Sequence, residues 1–244
     1  MNFAPGAWKY ALVPLLAAPF AFLISVSASL VALAVGVGTL AFFRDPDRTP
    51  PPTGVVSPAD GNVSVLREEG ERVRLGIFMN VWHVHVVRAP FDGTVTDVEH
   101  VSGANRPAFS KESDRNERVH IRLETDADLE TASNSSSSSS SSASTSTRSV
   151  DNDDPHAKPD EPGSDATVTM IAGAFARRIH PYAERDEELE RGDRIGHIAF
   201  GSRVDVLFPS AVDLEDVAVE VGDSMTAGET VVLEAPVGGE IELR

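Results

Sequence analysis

The alternation of apolar and polar positions divides the chain into three kinds of segment. From Tyr10 to Phe43 there is no charged residue, and Ala, Leu, Val and Phe dominate. That run exceeds the roughly 20 residues one spanning helix needs. Ala21 to Phe43 suffices for one transmembrane helical segment, and Pro14 and Pro19 break the part before it. One span with an interfacial lead-in and a helical hairpin both remain open for residues 1–43. Beyond Arg44 come short runs of period two: Asn62 to Leu66, Val73 to Met79, Val84 to Arg88, Gly93 to Val101, Arg118 to Leu123, Thr167 to Ala172, Ile195 to Phe200 and Val204 to Phe208. Pro58-Ala59-Asp60-Gly61 and Pro90-Phe91-Asp92-Gly93 are near copies of one turn, and Gly222 to Gly228 is a third, between Val217 to Val221 and Thr230 to Leu233. This predicts a mainly β domain over 44–123 and 167–244, a β-sandwich or flattened barrel with one short helix between Phe175 and Glu190.

The third kind of segment is an insert. Residues 124–166 are nearly all Ser, Thr, Asp and Pro, with an unbroken serine run from Ser135 to Ser142. Such a stretch buries too little apolar surface to offset its ordering entropy, so a disordered loop between neighbouring strands is expected. Loop closure cost rises slowly with length, so the fold tolerates it.

Charge and composition then narrow the function. A net charge of -17 argues against a nucleic-acid partner, because tracking phosphates requires clustered Lys and Arg. Lys9, Lys111 and Lys158 are the only lysines, and an acidic, lysine-poor surface suits high salt, where self-repulsion is screened. With no cysteine, disulfides and thiolate chemistry are excluded. A lipoyl or biotinyl carrier would need a lysine at its hairpin tip, and Asp223-Ser224-Met225-Thr226 has none. Pyridoxal chemistry needs a lysine in a pocket, and only Lys111 lies in the β body. Lys9 before the apolar run, with Arg44 and Arg48 after it, favours a hairpin with both ends on the cytoplasmic side of the cell membrane.

Chemistry concentrates at Phe200-Gly201-Ser202-Arg203-Val204-Asp205. A glycine carbonyl at a tight join, followed by a serine hydroxyl, can undergo an acyl shift in which Ser202 Oγ attacks the Gly201 carbonyl. A plain glycine bulge is the competing reading. His83 and His85 stand two apart on a strand and share a face. No metal site is expected there, since further ligands are not evident. His100, His120, His180 and His197 stand alone and take structural roles by default.

Seven stretches together resemble the short form of phosphatidylserine decarboxylase. They are Arg44-Asp45-Pro46-Asp47-Arg48, Ser57-Pro58-Ala59-Asp60-Gly61, Val84-His85-Val86-Val87-Arg88-Ala89-Pro90, Asn116-Glu117-Arg118, Ile171-Ala172-Gly173, Ala176-Arg177-Arg178-Ile179 and Phe200-Gly201-Ser202-Arg203-Val204-Asp205. The resemblance implies a proenzyme that cuts itself between Gly201 and Ser202 into two chains that stay together. Ser202 would become a pyruvoyl group, the cofactor, and would form a Schiff base with the amine of an aminophospholipid in the membrane. It implies a triad of Ser202 with His85 and Asp60, in which His85 takes the Ser202 proton and Asp60 holds the imidazole tautomer. Arg88 and Arg118 are candidates for the substrate phosphate. Val87 stands where the family usually has Asn. Ester and ether lipid tails are both open, with archaetidylserine favoured by the acidic composition. The alternatives are a pyruvoyl decarboxylase of a soluble amino acid and a non-enzymatic, membrane-anchored β adaptor.

Overall fold

A computed structural model of the chain describes residues 2–103, 116–125, 165–173, 178–199 and 202–234. The chain enters through β1 (Asn2–Phe3), and the uncharged run then forms two helices, α1 (Ala7–Phe22) and α2 (Val26–Phe42), packed against each other. The reversal falls at Leu23-Ile24-Ser25, after both prolines; Pro14 and Pro19 lie inside α1 and do not end it. A proline removes one helical N–H donor. Packing against α2 keeps the run helical nonetheless. Gly36 is what lets the helices approach, because a Cβ there would fall 2.5 Å from Leu15 Cγ. At 16 and 17 residues, neither helix is long and apolar enough to cross a membrane. Of the two arrangements left open for residues 1–43 the helical hairpin is the one found, and neither of its helices is the transmembrane span expected.

After β2 (Arg44–Asp45), which pairs with β1, the body is built from β3 (Val55–Val56), β4 (Gly61–Glu69), β5 (Arg72–Met79), β6 (Val86–Arg88), β7 (Gly93–Val101), β8 (Arg118–Thr125), β9 (Asp165–Ala172), β10 (Ile179–Pro181), β11 (Glu188–Leu189), β12 (Arg194–Ile198), β13 (Ser202–Leu207), β14 (Ser224–Met225) and β15 (Val231–Leu233). Eight of these make one antiparallel sheet in the order β11-β7-β8-β9-β13-β5-β4-β14. Among the described residues its two ends do not meet, so it is an open sheet and not a closed barrel. A three-stranded sheet, β10-β12-β6, and the β15-β3 pair complete the body.

Period-two alternation sends one face of each central strand into the core. Leu75, Ile77 and Met79 of β5, Val119, Ile121 and Leu123 of β8, and Val204 and Val206 of β13 are buried there. Val87, Ile179, Ile195 and Ile198 of the smaller sheet belong to the same core. Val87, at the position that departs from the family pattern, is fully buried.

The helix expected between Phe175 and Glu190 is not found in the described part, 178–190, which carries β10, a turn and β11. Glu-rich propensity loses here to local geometry. Asp186 takes a left-handed φ of 66°, Glu184 N–H bonds the Glu187 carboxylate, and Leu189 is buried by pairing with Gly93. The expected strand at Val217 to Val221 shrinks to one bridge, Val217 with Leu233, and Ser224-Met225, expected in a turn, adds to the edge of β4. The Ser-rich insert lies outside the described residues, apart from its two ends in β8 and β9.

Candidate active site

The step between Gly201 and Ser202 lies where β12 leads into β13. Phe200 and Gly201 fall outside the described residues, and Ser202 opens β13, paired in register with Met79 on one side and Ala172 on the other. Ala172 is fixed in turn. Its carbonyl accepts from Asn116 Nδ2 at 2.7 Å, and its N–H donates to the Glu117 carbonyl at 2.9 Å. The Asn-Glu-Arg stretch thus anchors a strand neighbour of Ser202. Upstream, Ile198 N–H donates to the His85 carbonyl at 3.1 Å, so His85 is tied to the strand that runs into Phe200-Gly201-Ser202.

His85 is 2 % exposed. Its Nδ1 lies 2.9 Å from the His83 carbonyl, which can only accept, so Nδ1 carries the proton and Nε2 holds a free lone pair. That Nε2 is buried and has no hydrogen-bond partner among the described residues. Burial pushes the imidazole down to about 4, with the neighbouring His83 and Arg44 adding to the effect and the hydrogen bond to the His83 carbonyl opposing it. At neutral pH the side chain is therefore an uncharged base with an unused acceptor. A buried acceptor without a partner costs stability, which makes such an atom a candidate for chemistry.

Asp60 does not reach His85 as the triad reading expected. Its carboxylate accepts from Arg48 Nη2 at 3.0 and 3.1 Å and from the Ala227 N–H at 2.8 Å. The tautomer of His85 is held by a backbone carbonyl. Asp60 acts electrostatically on His83, where burial lowers the imidazole and the Asp60 charge opposes that lowering. His83 Nδ1 accepts the Asn80 N–H at 3.1 Å, so in the neutral ring the proton sits on Nε2. His83, to which the sequence assigned no role, is thus the residue between Asp60 and His85. Its carbonyl orients one, and its ring lies in the field of the other.

Arg88 is not free to bind phosphate. Buried at 5 % exposure, it donates to Asp45 at 2.9 Å, to the Pro46 carbonyl at 3.0 Å and to the Gly192 carbonyl at 2.7 Å. It fastens the chain leaving the hairpin onto the β body. Arg118 pairs in register with Val101 and Ile171, and Val119, Ile121 and Leu123, which alternate with it, face the core. Arg118 therefore belongs to the opposite face of the sheet.

The sequence missed a second buried group. His180 and His197 face each other across β10 and β12, with rings 4.6 Å apart, and Tyr182 Oη shares a 2.5 Å hydrogen bond with His197 Nδ1. Burial pushes His197 down to about 4, with His180 and His85 adding to it. Each histidine looked isolated along the chain because the pairing register that joins them is tertiary.

Sequence comparison with known proteins identifies the family. The family profile of phosphatidylserine decarboxylase matches residues 38–133 and 156–233. A Halobacterium salinarum protein provisionally named as an archaetidylserine decarboxylase proenzyme is 46% identical over 93% of this chain and 96% of its own. A phosphatidylserine decarboxylase proenzyme of Streptomyces avermitilis is 41% identical over 82% of this chain and 75% of its own. A Methanopyrus kandleri protein, again provisionally named for archaetidylserine, is 33% identical over 94% of this chain and 97% of its own. The chain belongs to the phosphatidylserine decarboxylase family and is a carboxy-lyase of the short, archaeal type.

Proposed function

We propose that this chain cuts itself between Gly201 and Ser202, turns Ser202 into a pyruvoyl group, and removes CO2 from the serine headgroup of archaetidylserine at a membrane surface. The observation that carries the reading is His85. It is a neutral, buried imidazole whose Nε2 has no hydrogen-bond partner among the described residues, bonded through its backbone to the strand that precedes the Gly-Ser step. In maturation, His85 Nε2 takes the Ser202 hydroxyl proton as Oγ attacks the Gly201 carbonyl, and the peptide bond becomes an ester. Loss of the Ser202 α-proton then expels Gly201 as a carboxylate and leaves dehydroalanine. Water converts that residue to pyruvoyl and ammonia.

The residues present fit such a group. His85, whose Nε2 is buried without a hydrogen-bond partner among the described residues, is bonded through its carbonyl to Ile198, four residues before Ser202, and Met79 and Ala172 pair with Ser202 on either side. The pyruvoyl carbonyl supplies an electron sink for decarboxylation once bonded to the headgroup amine. Asp60 and Arg48 keep the two chains together. Asp60 bonds the Ala227 N–H and Arg48 bonds Glu229, both across the cut. β13 stays in the middle of the sheet, and β14 and β15 stay paired with β4 and β3. The product is a heterodimer of residues 1–201 and 202–244.

The hairpin suits monotopic insertion. Its helices span about 24 to 26 Å at 1.5 Å per residue, short of a hydrocarbon core of about 30 Å. Leu23 and Ile24 at its tip are 83% and 87% exposed, and Leu16, Phe20, Leu30 and Val31 are exposed along its sides. Trp8, Tyr10 and Trp82 gather at the base, where the Arg44 guanidinium donates to the Trp82 carbonyl. Aromatic rings and Lys or Arg at one level are an interfacial signature, and the charges favour a base and catalytic body on the cytoplasmic side. A Leu23→Asp, Ile24→Asp double variant is expected to lose most binding to vesicles of anionic ether lipid in a flotation assay. Binding at the original level would show that the hairpin does not insert.

Intact mass spectrometry of the purified chain tests the central reading. Two fragments are expected, with the 202–244 chain lighter by the mass of ammonia than its serine-ended form and blocked to Edman degradation. A single uncut chain without decarboxylase activity would favour the adaptor reading.

A further inference from the structure

His85 sits at a seam. On one side is the β body, and on the other is the last turn of α2. The Phe42 ring lies 4.3 Å from the His85 ring, centroid to centroid, at an interplanar angle of 34°. Phe42 is itself braced, with Phe43 edge-on at 5.1 Å, and Tyr10 of α1 stacks flat on Phe43 at 5.5 Å. Ala4, Ala7, Phe42, Phe43, Val84, Val86 and Ala199 form a buried cluster separate from the main core, so hairpin residues and the residues flanking His85 share one packing unit. Polar ties hold the unit in place. The Arg44 guanidinium donates to the Ala41 and Trp82 carbonyls, and Ala4 N–H donates to the Phe43 carbonyl.

We propose that Phe42 is a positioning residue for His85, its ring closing the imidazole off from water so that the hairpin builds part of the active site as well as attaching it. The inference rests on the reading of His85 as the base in maturation. Phe42 is the ring that lies against this imidazole from α2, and it excludes water there. The charged and titratable groups facing His85 are His83 on its own segment, Arg44 at the exit of α2 and His197 on β12. Arg44 carries a fixed positive charge, and His83 and His197 are both held below the usual imidazole range. None of their side-chain charges favours a protonated His85, and the hydrogen bond to the His83 carbonyl opposes burial only in part. Water admitted beside the ring would favour it, because solvation of the imidazolium is what burial withholds.

The sign follows. A base works in its unprotonated form, so its rate is lost as pH falls through its pKa. With burial holding His85 at about 4, cleavage persists into acid. If truncation of Phe42 lets it rise about two units towards the ordinary imidazole value, cleavage at pH 5 falls roughly tenfold while cleavage at pH 8 changes little.

The test uses the full chain in detergent. His85 is titrated by NMR on histidine-labelled, uncut Ser202→Ala protein, with and without Phe42→Ala. In parallel, the Ser202 chain and its Phe42→Ala variant are refolded from denaturant at pH 5 and pH 8, and the cut is followed by mass. Phe42→Leu, which restores apolar bulk without the ring, should return the profile most of the way. An upward shift of His85, with cleavage selectively lost at pH 5, is the expected result. An unchanged His85 pKa in Phe42→Ala overturns the proposal. A raised pKa with an unaltered cleavage profile also overturns it, and removes His85 as the base, although the packing would stand. Should the alanine chain fail to fold, Phe42→Val carries the same titration. An intermediate rise is then expected, and no rise is the overturning outcome.

Discussion

A Ser202→Ala chain is expected to remain whole, and a His85→Ala chain to cut itself about 10²- to 10⁴-fold more slowly than the parent, the usual worth of a positioned general base. The two losses have different origins. Alanine at 202 removes the oxygen that would form the ester, whereas alanine at 85 leaves nucleophile and carbonyl in place and removes only the acceptor for the proton. The His85 variant should therefore show slow, residual cleavage that rises with pH, as hydroxide or water takes over from the imidazole. Time-resolved mass spectrometry after refolding measures both. Thermal unfolding of the uncut chains tells whether either change has instead damaged the fold. His85 lies in a packed seam, so some loss of stability is expected, with the folded state retained because the main core is built elsewhere. Cleavage of His85→Ala at the parental rate would require a different base. The buried His197, whose ring interacts with that of His85, would be the next to examine.

How far the sequence showed this site depended on how local each piece is. Strands β5, β7, β8 and β9 were legible because alternation is a property of the strand itself, and their bounds differ from expectation by only a residue or two at most ends. The Pro-x-Asp-Gly turn was legible too, while β13 opens at Ser202, two residues before the strand start expected at Val204. What was not legible depends on tertiary contacts. Asp60 and His85 stand in the right motifs, but the geometry gives the His85 tautomer to the His83 carbonyl and spends Asp60 on Arg48 and Ala227. No spacing along the chain encodes a carbonyl acting in place of a carboxylate. Arg88 shared that fate. Its motif membership suggested a ligand for phosphate, and only the fold shows its guanidinium spent on Asp45, Pro46 and Gly192. The uncharged N-terminal run was plainly apolar, but its length did not reveal where it would turn. Prolines were the local signal for the turn, and the reversal came instead at Leu23-Ile24-Ser25.

The cut changes the thermodynamic problem, and this leads to the other large effect. In the uncut chain β13 is one strand of a single chain. Under the proposed cut it would become the N-terminal strand of a separate chain, held between β9 and β5 by backbone pairing and by one ion cluster. In that cluster Asp205, 3 % exposed, accepts from both Arg74 of β5 and Arg203 of its own strand, with Arg74 Nε at 3.1 Å and Arg203 Nη2 at 2.9 Å from its Oδ2. Gly76 stands opposite Asp205 in register, and a Cβ there would fall 2.8 Å from Asp205 Oδ1, so the carboxylate occupies the space a side chain would need. Asp205→Ala takes the shared counter-charge from the buried Arg203 and from the half-buried Arg74, which keeps Glu69 as a partner, a change that costs on the order of 3 kcal/mol. In the uncut Ser202→Ala background the result is a melting temperature lower by on the order of 10 °C and independent of protein concentration. In the cleaved protein the same loss falls on an association, so the 202–244 chain should dissociate at lower urea, and its midpoint should move with concentration. Size exclusion across a urea series reads this directly. Equal urea midpoints for cleaved Asp205→Ala and cleaved parent would mean that backbone pairing alone holds the two chains together. A concentration-dependent midpoint that falls in the variant would mean that the Arg74–Asp205–Arg203 cluster ties the chain created by the cut to the chain that made it.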